Sequence, residues 1–193
     1  MDYKILLWII SSILAIVWYF PYIKDTIKWK TVPHIYTWLI WWILVWITFV
    51  IQFQNQWWAW SWVTWVTAIS CFIIVILSLK FGAKNITSSD TISLILAFWA
   101  MGLWYFLNNP LYSIILILII ETLAFYPTFR KSLKKPFEET LSTYVIASIR
   151  SAISIAALTS INLVNIAFPL YLFLVYGVFA ILLVFLRKRD TPT

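Results

Sequence analysis

The chain has 193 residues, is 63% hydrophobic, only 11% charged, and carries a net charge of +7. A soluble domain of this size has too high a surface-to-volume ratio to hide that much apolar area, which excludes a soluble globular class. It also excludes nucleic acid as the partner of the positive charge, because Lys and Arg sit in short loops between apolar runs, where they orient a chain in a bilayer.

The hydrocarbon core of a bilayer is about 30 Å thick, so a spanning helix needs roughly 20 apolar residues. Seven stretches qualify in chain order: Ile5–Tyr22, Ile35–Phe53, Trp57–Leu79, Thr91–Leu107, Pro110–Phe129, Thr140–Ser160 and Ile166–Leu186. Helix is forced, since an unpaired backbone group in lipid costs several kcal/mol and the runs are too long and uniform for barrel strands. The first run is too long for a signal-peptide core and lacks a small-residue cleavage site, so it is expected to remain as the first helix.

Basic residues mark every second connection. Lys24, Lys28 and Lys30 follow span one; Lys80 and Lys84 follow span three; Arg130, Lys131, Lys134 and Lys135 follow span five; Arg187, Lys188 and Arg189 follow span seven. The connections 54–56, 108–109 and 161–165 carry none. This alternation predicts an outside N-terminus and a cytoplasmic C-terminus. Only Lys4 falls on the outer side, and only Arg150 falls within a span.

Trp and Tyr crowd the span ends: Trp8, Trp18, Tyr19, Tyr22, Trp57, Trp58, Trp60 and Trp62 read as an interface belt. Trp41, Trp42 and Trp46 lie deeper in span two, where a belt does not account for them, and are read as sharing one side of it by i, i+4 spacing. They are expected to pack or to stack on a ligand, and Trp42 and Trp46 are assigned to a substrate site.

The chain repeats itself. Span one ends Phe20-Pro21-Tyr22-Ile23-Lys24-Asp25-Thr26-Ile27-Lys28, and span five ends Tyr126-Pro127-Thr128-Phe129-Arg130-Lys131-Ser132-Leu133-Lys134. After a shift of three residues, Pro33 and Thr37 match Pro136 and Thr140. Two triplets joined by one linking helix face the same way, as parallel repeats about an axis along the membrane normal. The expected organisation is residues 1–80 as the first triplet, 81–109 as the linker helix and 110–193 as the second triplet.

This arrangement resembles the PQ-loop and SWEET group, whose members repeat a Pro-Gln segment near the cytoplasmic end of the first helix of each triplet. Tyr22 and Thr128 stand where the Gln would be. The segments are more similar to a bacterial branch carrying Pro-Tyr-Ile-x-Asp, which implies a bacterial inner (plasma) membrane. Most members of the wider group carry small solutes such as sugars or amino acids. One trafficking receptor shares the bundle, so the resemblance alone does not settle transport.

Two ionised residues fall near mid-span, Glu121 in span five and Arg150 in span six, each about ten residues or roughly 15 Å from its helix start. A lone charge at that depth costs from about 2.5 to over 10 kcal/mol, and such groups mark function by default. Arg150 is expected to hold an anionic or polar group and Glu121 to carry a proton; the plain alternative is a structural ion pair. The aligned positions of the first triplet, near Ala15 and Ile47, are apolar. Pro21 and Pro127 are expected to be hinges of an inner gate or simply helix ends. Pro33 and Pro136 are expected to start helices.

Asn108, Asn109, Asn162 and Asn165 read as outer turn residues, His34 as interfacial, and Cys71 as a small core residue. A single cysteine allows no intrachain disulfide, and no metal or cofactor site has the needed spacing. No serine–histidine pair, carboxylate pair or phosphate loop is present, so no enzyme is expected. Span seven has no lysine for retinal. The expected function is transport of a small polar solute (sugar, amino acid or nucleoside-like) by alternating access at a midplane site. The alternative is a non-transporting receptor or assembly scaffold, with Arg130–Lys135 as its docking surface. The expected partners are the lipid bilayer and a small-molecule substrate, with the bundle acting alone or as a homo-oligomer.

Overall fold

The computed structural model describes residues 3–54, 58–107 and 109–190. Among these the chain is all-helical, with seven helices, five of them long and apolar enough to cross a membrane. The first is a 25-residue rod in two segments, α1 (Tyr3–Val17) and α2 (Tyr19–Ile27). Then come α3 (Ile35–Gln54), α4 (Trp58–Phe81), α5 (Ser88–Phe106), α6 (Pro110–Lys134), a 3₁₀ turn (Pro136–Glu138), α7 (Leu141–Ala156) and α8 (Leu163–Asp190).

Several boundaries differ from expectation for local reasons. The first rod and α6 continue past Pro21 and Pro127, so neither proline ends its helix. Proline cannot bond the carbonyl four residues back, which for Pro21 is that of Val17, and the α1–α2 break falls there. At Pro127 the helix carries on unbroken. Pro136 opens the 3₁₀ turn, not α7. At 16 residues α7 is only about 24 Å long. It stops before the Thr159-Ser160 pair, whose hydroxyl side chains favour turns over helix interiors. Lys4 Nζ donates to Leu158 O at 2.8 Å beside that end.

The exterior is that of a membrane-embedded protein. Val178, Ile181 and Phe185 on α8 and Leu103, Tyr105 and Phe106 on α5 are all more than half exposed, far beyond what a water-facing surface carries. The core is aromatic: Trp18, Tyr19, Tyr22, Trp38, Trp41, Phe125, Tyr144, Tyr176 and Phe179 are buried together. Three residues assigned above to an interface belt, Trp18, Tyr19 and Tyr22, therefore belong to the core; the break at Trp18 lies beside them. Trp62 is exposed as a belt residue would be. Trp57, Asn108 and the side chains of Trp58 and Trp60 lie outside the described residues.

Helix adjacency follows a pattern. The α4 backbone packs against α1, α2 and α3, and that of α8 packs against α6 and α7. Among the described residues the backbones of α1 and α3 do not approach each other, nor do those of α6 and α7. Between the sets, α1 packs on α7 and α3 on α6, while α5 lies against α6 and α3.

Three connections meet at one end of the bundle, the basic end. Val32 N donates to Glu138 O at 2.9 Å and Ala83 N to Pro33 O at 3.0 Å. Basic residues there are partly internal. Arg130 grips Asp90 through Nε (2.8 Å) and Nη2 (2.7 Å), and Lys131 pairs with Glu139 at 2.6 Å and reaches Val32 O. The expected docking surface Arg130–Lys135 thus loses Arg130 and Lys131 to the interior, while Lys134 and Lys135 stay exposed. Arg187 bonds the carbonyls of Pro136 and Glu139.

Candidate functional site

A cavity of about 450 Å³ lies between the two helix sets. Its walls come from α1, α3, α4, α6, α7 and α8, with Trp104 from α5. Glu121 and Arg150 both line it, and so do Ala15 and Ile47, the positions that the sequence repeat aligns with them. One set supplies apolar walls where the other supplies the charges.

The two charges do not form a direct ion pair; those in the structure join other residues. Glu121 is buried, and its Oε2 accepts the indole N–H of Trp41 at 2.8 Å. Arg150 Nε is buried with no hydrogen-bond partner, while the Arg150 carbonyl accepts Ser11 (3.3 Å) and Ser154 (3.0 Å). A buried N–H without an acceptor is costly, and it calls for an anion or ordered water from outside the protein.

Trp42 and Trp46, assigned to the substrate site from spacing, do not line the cavity. Trp42 packs on Phe72 at 5.2 Å, and Trp46 is largely exposed beside Phe49. Trp41 is the cavity-lining tryptophan of α3, with Leu44, Val45 and Thr48 on the same wall. One residue is about 100° of helix, so Trp42 faces away from the cavity that Trp41 lines. The signal for Trp41 was its distance to Thr48 and Leu44, seven and three residues on, a pattern hidden because almost every residue of α3 is apolar.

The half of the bundle toward the basic end is closed. Below Trp41 lie Phe125, Tyr144, Tyr176 and Phe179, with ring centroids between 4.6 and 6.3 Å apart. Trp38 stacks near Trp18 and donates to Tyr22 Oη at 3.0 Å. Tyr144 donates to Glu139 at 2.8 Å, which ties the aromatic layer to the Lys131–Glu139 pair. Two hydroxyl contacts cross between the sets: Thr128 to Thr37 at 3.0 Å, and Thr31 to Thr140 at 2.5 Å. Thr140 also donates to Asp25 at 3.1 Å.

Pro21 and Pro127 lie next to this closed layer. The residue after each proline accepts a back-bond from the hydroxyl four residues on: Thr26 to Tyr22 O and Ser132 to Thr128 O, both 2.8 Å. Of the remaining expectations, Cys71 is a buried core residue as expected, and it also lines the cavity and is hydrogen-bonded to Tyr19 Oη at 3.1 Å. Asn109 caps α6, and Asn162 accepts from Asn165 N at 3.0 Å, both turn roles.

His34 is not interfacial. It is fully buried, with Nε2 3.3 Å from Asp90 Oδ2 but without hydrogen-bond geometry. Burial pushes its imidazole down to about 4; Asp90 opposes the shift, and Lys131 and Arg130 add to it. The Asp90–Arg130–His34 cluster was not legible as a unit, because its members lie on three separate segments. Asp90 alone gave a signal, as the third residue after the helix-capping Thr87. No group of His, Cys, Asp and Glu that could hold a metal occurs among the described residues.

No protein-family model matches this chain, and neither the curated proteins nor the solved structures give a match.

Proposed function

We propose that this chain is a membrane transporter that moves a small polar solute by alternating access, with its site in the Glu121–Arg150 cavity. The proposal includes seven membrane crossings arranged as two parallel three-helix repeats joined by α5. The N-terminus lies outside and the basic end faces the cytoplasm. The observation that carries it is the pair of unpaired, oppositely charged groups lining one cavity at mid-bundle. A lone charge at mid-bilayer costs from about 2.5 to over 10 kcal/mol, and a cavity that admits water or a polar ligand lowers that cost, which gives both groups a reason to be there.

The adjacency pattern supports the repeat. Exchanging the first rod with α6, α3 with α7 and α4 with α8 maps the contacts onto themselves: the third helix stands between the first two in each set, and the cross-contacts α1–α7 and α3–α6 exchange. This is the relation expected of parallel repeats about a membrane-normal axis, as in the SWEET-like arrangement that the proline segments resemble.

In the described conformation the cavity occupies the half next to the uncharged connections, and the aromatic layer closes the other half. Carriage requires that layer to part while the outer half closes. The bonds that must break include the Thr37–Thr128 and Thr31–Thr140 contacts, and Pro21 and Pro127, each lacking one backbone hydrogen bond, flank the moving segments.

The test is flux. Purified protein in liposomes should accumulate at least one solute from a panel of sugars, amino acids, nucleosides and carboxylates, and Arg150→Ala should abolish this while the protein stays folded. A folded Arg150→Ala protein with normal flux would remove the site assignment. No flux, together with a stable co-purifying protein, would favour a receptor or assembly role.

A further inference from the structure

We infer that the cavity's ligand is an amino-acid-type zwitterion with an aromatic or large apolar side chain. The inference rests on the transport reading of this cavity and narrows its substrate class.

The argument is charge balance. Glu121 and Arg150 face the same space without pairing, so one ligand can lie between them. Trp41 occupies Glu121 Oε2, and no other protein donor reaches that carboxylate among the described residues. Arg150 Nε has no acceptor, whereas the half-buried Arg130 and the buried Lys131 each have a carboxylate. A monoanion on Arg150 would leave Glu121 facing a second negative charge, and a monocation would leave the guanidinium unmet. A neutral sugar would leave both without a counter-charge. A zwitterion gives each group its partner through charge-assisted hydrogen bonds, the stronger kind.

The rest of the cavity decides the body of the ligand. Trp18, Tyr19, Trp104, Phe168 and Tyr176 supply ring surface, and the remaining walls are mostly aliphatic. Such walls suit a flat or bulky apolar group, and sites of roughly 300–1,000 Å³ take small molecules. A ligand rich in hydroxyls would strand them against these rings.

The test is equilibrium binding by the purified full-length protein in mildly alkaline buffer, read by thermal shift and calorimetry. The probes are L-phenylalanine, L-tryptophan, 3-phenylpropionate, phenethylamine, glucose and uridine. The two amino acids should raise the melting temperature. Loss of the amine or of the carboxylate should weaken binding about tenfold or more, as expected for one lost charge-assisted bond. Glu121→Gln should erase the preference for phenylalanine over phenylpropionate, and Arg150→Lys should retain weakened binding. Phenylpropionate binding as tightly as phenylalanine would overturn the inference, as would a response to glucose or uridine alone, or to no probe. Selective amino-acid binding without flux would overturn the carrier reading and leave this inference standing; sugar flux without amino-acid binding would do the reverse.

Discussion

Trp41 donates its indole N–H to Glu121 Oε2 at 2.8 Å, across the boundary between the two helix sets. Trp41 also stacks on Phe125, the first ring of the closed layer, at 6.2 Å. One side chain thus touches both the charged cavity and the aromatic layer beneath it, the two parts that the proposed carrier cycle requires to move together.

Trp41→Phe keeps an aromatic ring against Phe125 and removes the donor. A hydrogen bond to a charged group contributes about 1.5–3 kcal/mol, so the variant should melt lower and carry solute more slowly. Trp42→Phe, outside the cavity, should leave flux at the parent level. Melting curves and liposome uptake measured on both variants check the contrast; equal effects would place the two tryptophans in the same role.

The Asp90–Arg130 pair joins the start of α5 to the end of α6, with Asp90 fully buried. Removing one partner strands the other, so Arg130→Ala should cost about 3–5 kcal/mol. Asp90→Asn combined with Arg130→Gln should cost less than the sum of the two single changes. Chemical denaturation of the four proteins in detergent gives the coupling directly, and strict additivity would refute it.

His34 is held down at about 4, against an ordinary value near 6.5. Between these values the unfolded chain binds the proton that the folded chain refuses. Stability is therefore full above about pH 6.5 and falls as pH drops toward 4, by up to about 3 kcal/mol. Asp90, Arg130 and Lys131 are the charged groups that act on the ring. His34→Gln should flatten the melting temperature across it; an unchanged slope would assign the pH dependence elsewhere.

Gly177 on α8 approaches Ser148 on α7, where an added methyl would sit 3.0 Å from Ser148 Oγ. Ser148 Oγ in turn donates to Phe173 O at 3.0 Å. Small residues let membrane helices approach closely, so Gly177→Val should push the pair apart and lower the melting temperature by several degrees. Gly102 has open space around it, and Gly102→Ala should be nearly silent.

The sequence carried the helices well, because lipid forces long apolar runs into one conformation and leaves little choice. The similar depth of Glu121 and Arg150 followed from counting residues along two consecutive helices, although among the described residues α6 and α7 do not pack on each other. Which face each helix turns inward did not follow. In α3 nearly every residue is apolar, so periodicity carries no contrast, and Trp42 and Trp46 were preferred to Trp41. Pro127 shows the other limit: a proline inside a helix weakens it locally, but packing decides whether the rod breaks, as it does near Pro21, or runs on. The ion pairs of Asp90 and Glu139 were hidden because charge counting assigns every loop lysine and arginine to orientation.

The most direct test of alternating access uses thiol accessibility at the cavity wall. Thr67, on the α4 wall, is converted to cysteine in a Cys71→Ser background, and vesicles of each orientation are exposed to a membrane-impermeant maleimide. The account predicts labelling from the uncharged face, labelling from the basic face in a second conformation, and protection on both sides by the transported solute. Labelling confined to one face under every condition, with no protection by any solute, would contradict it.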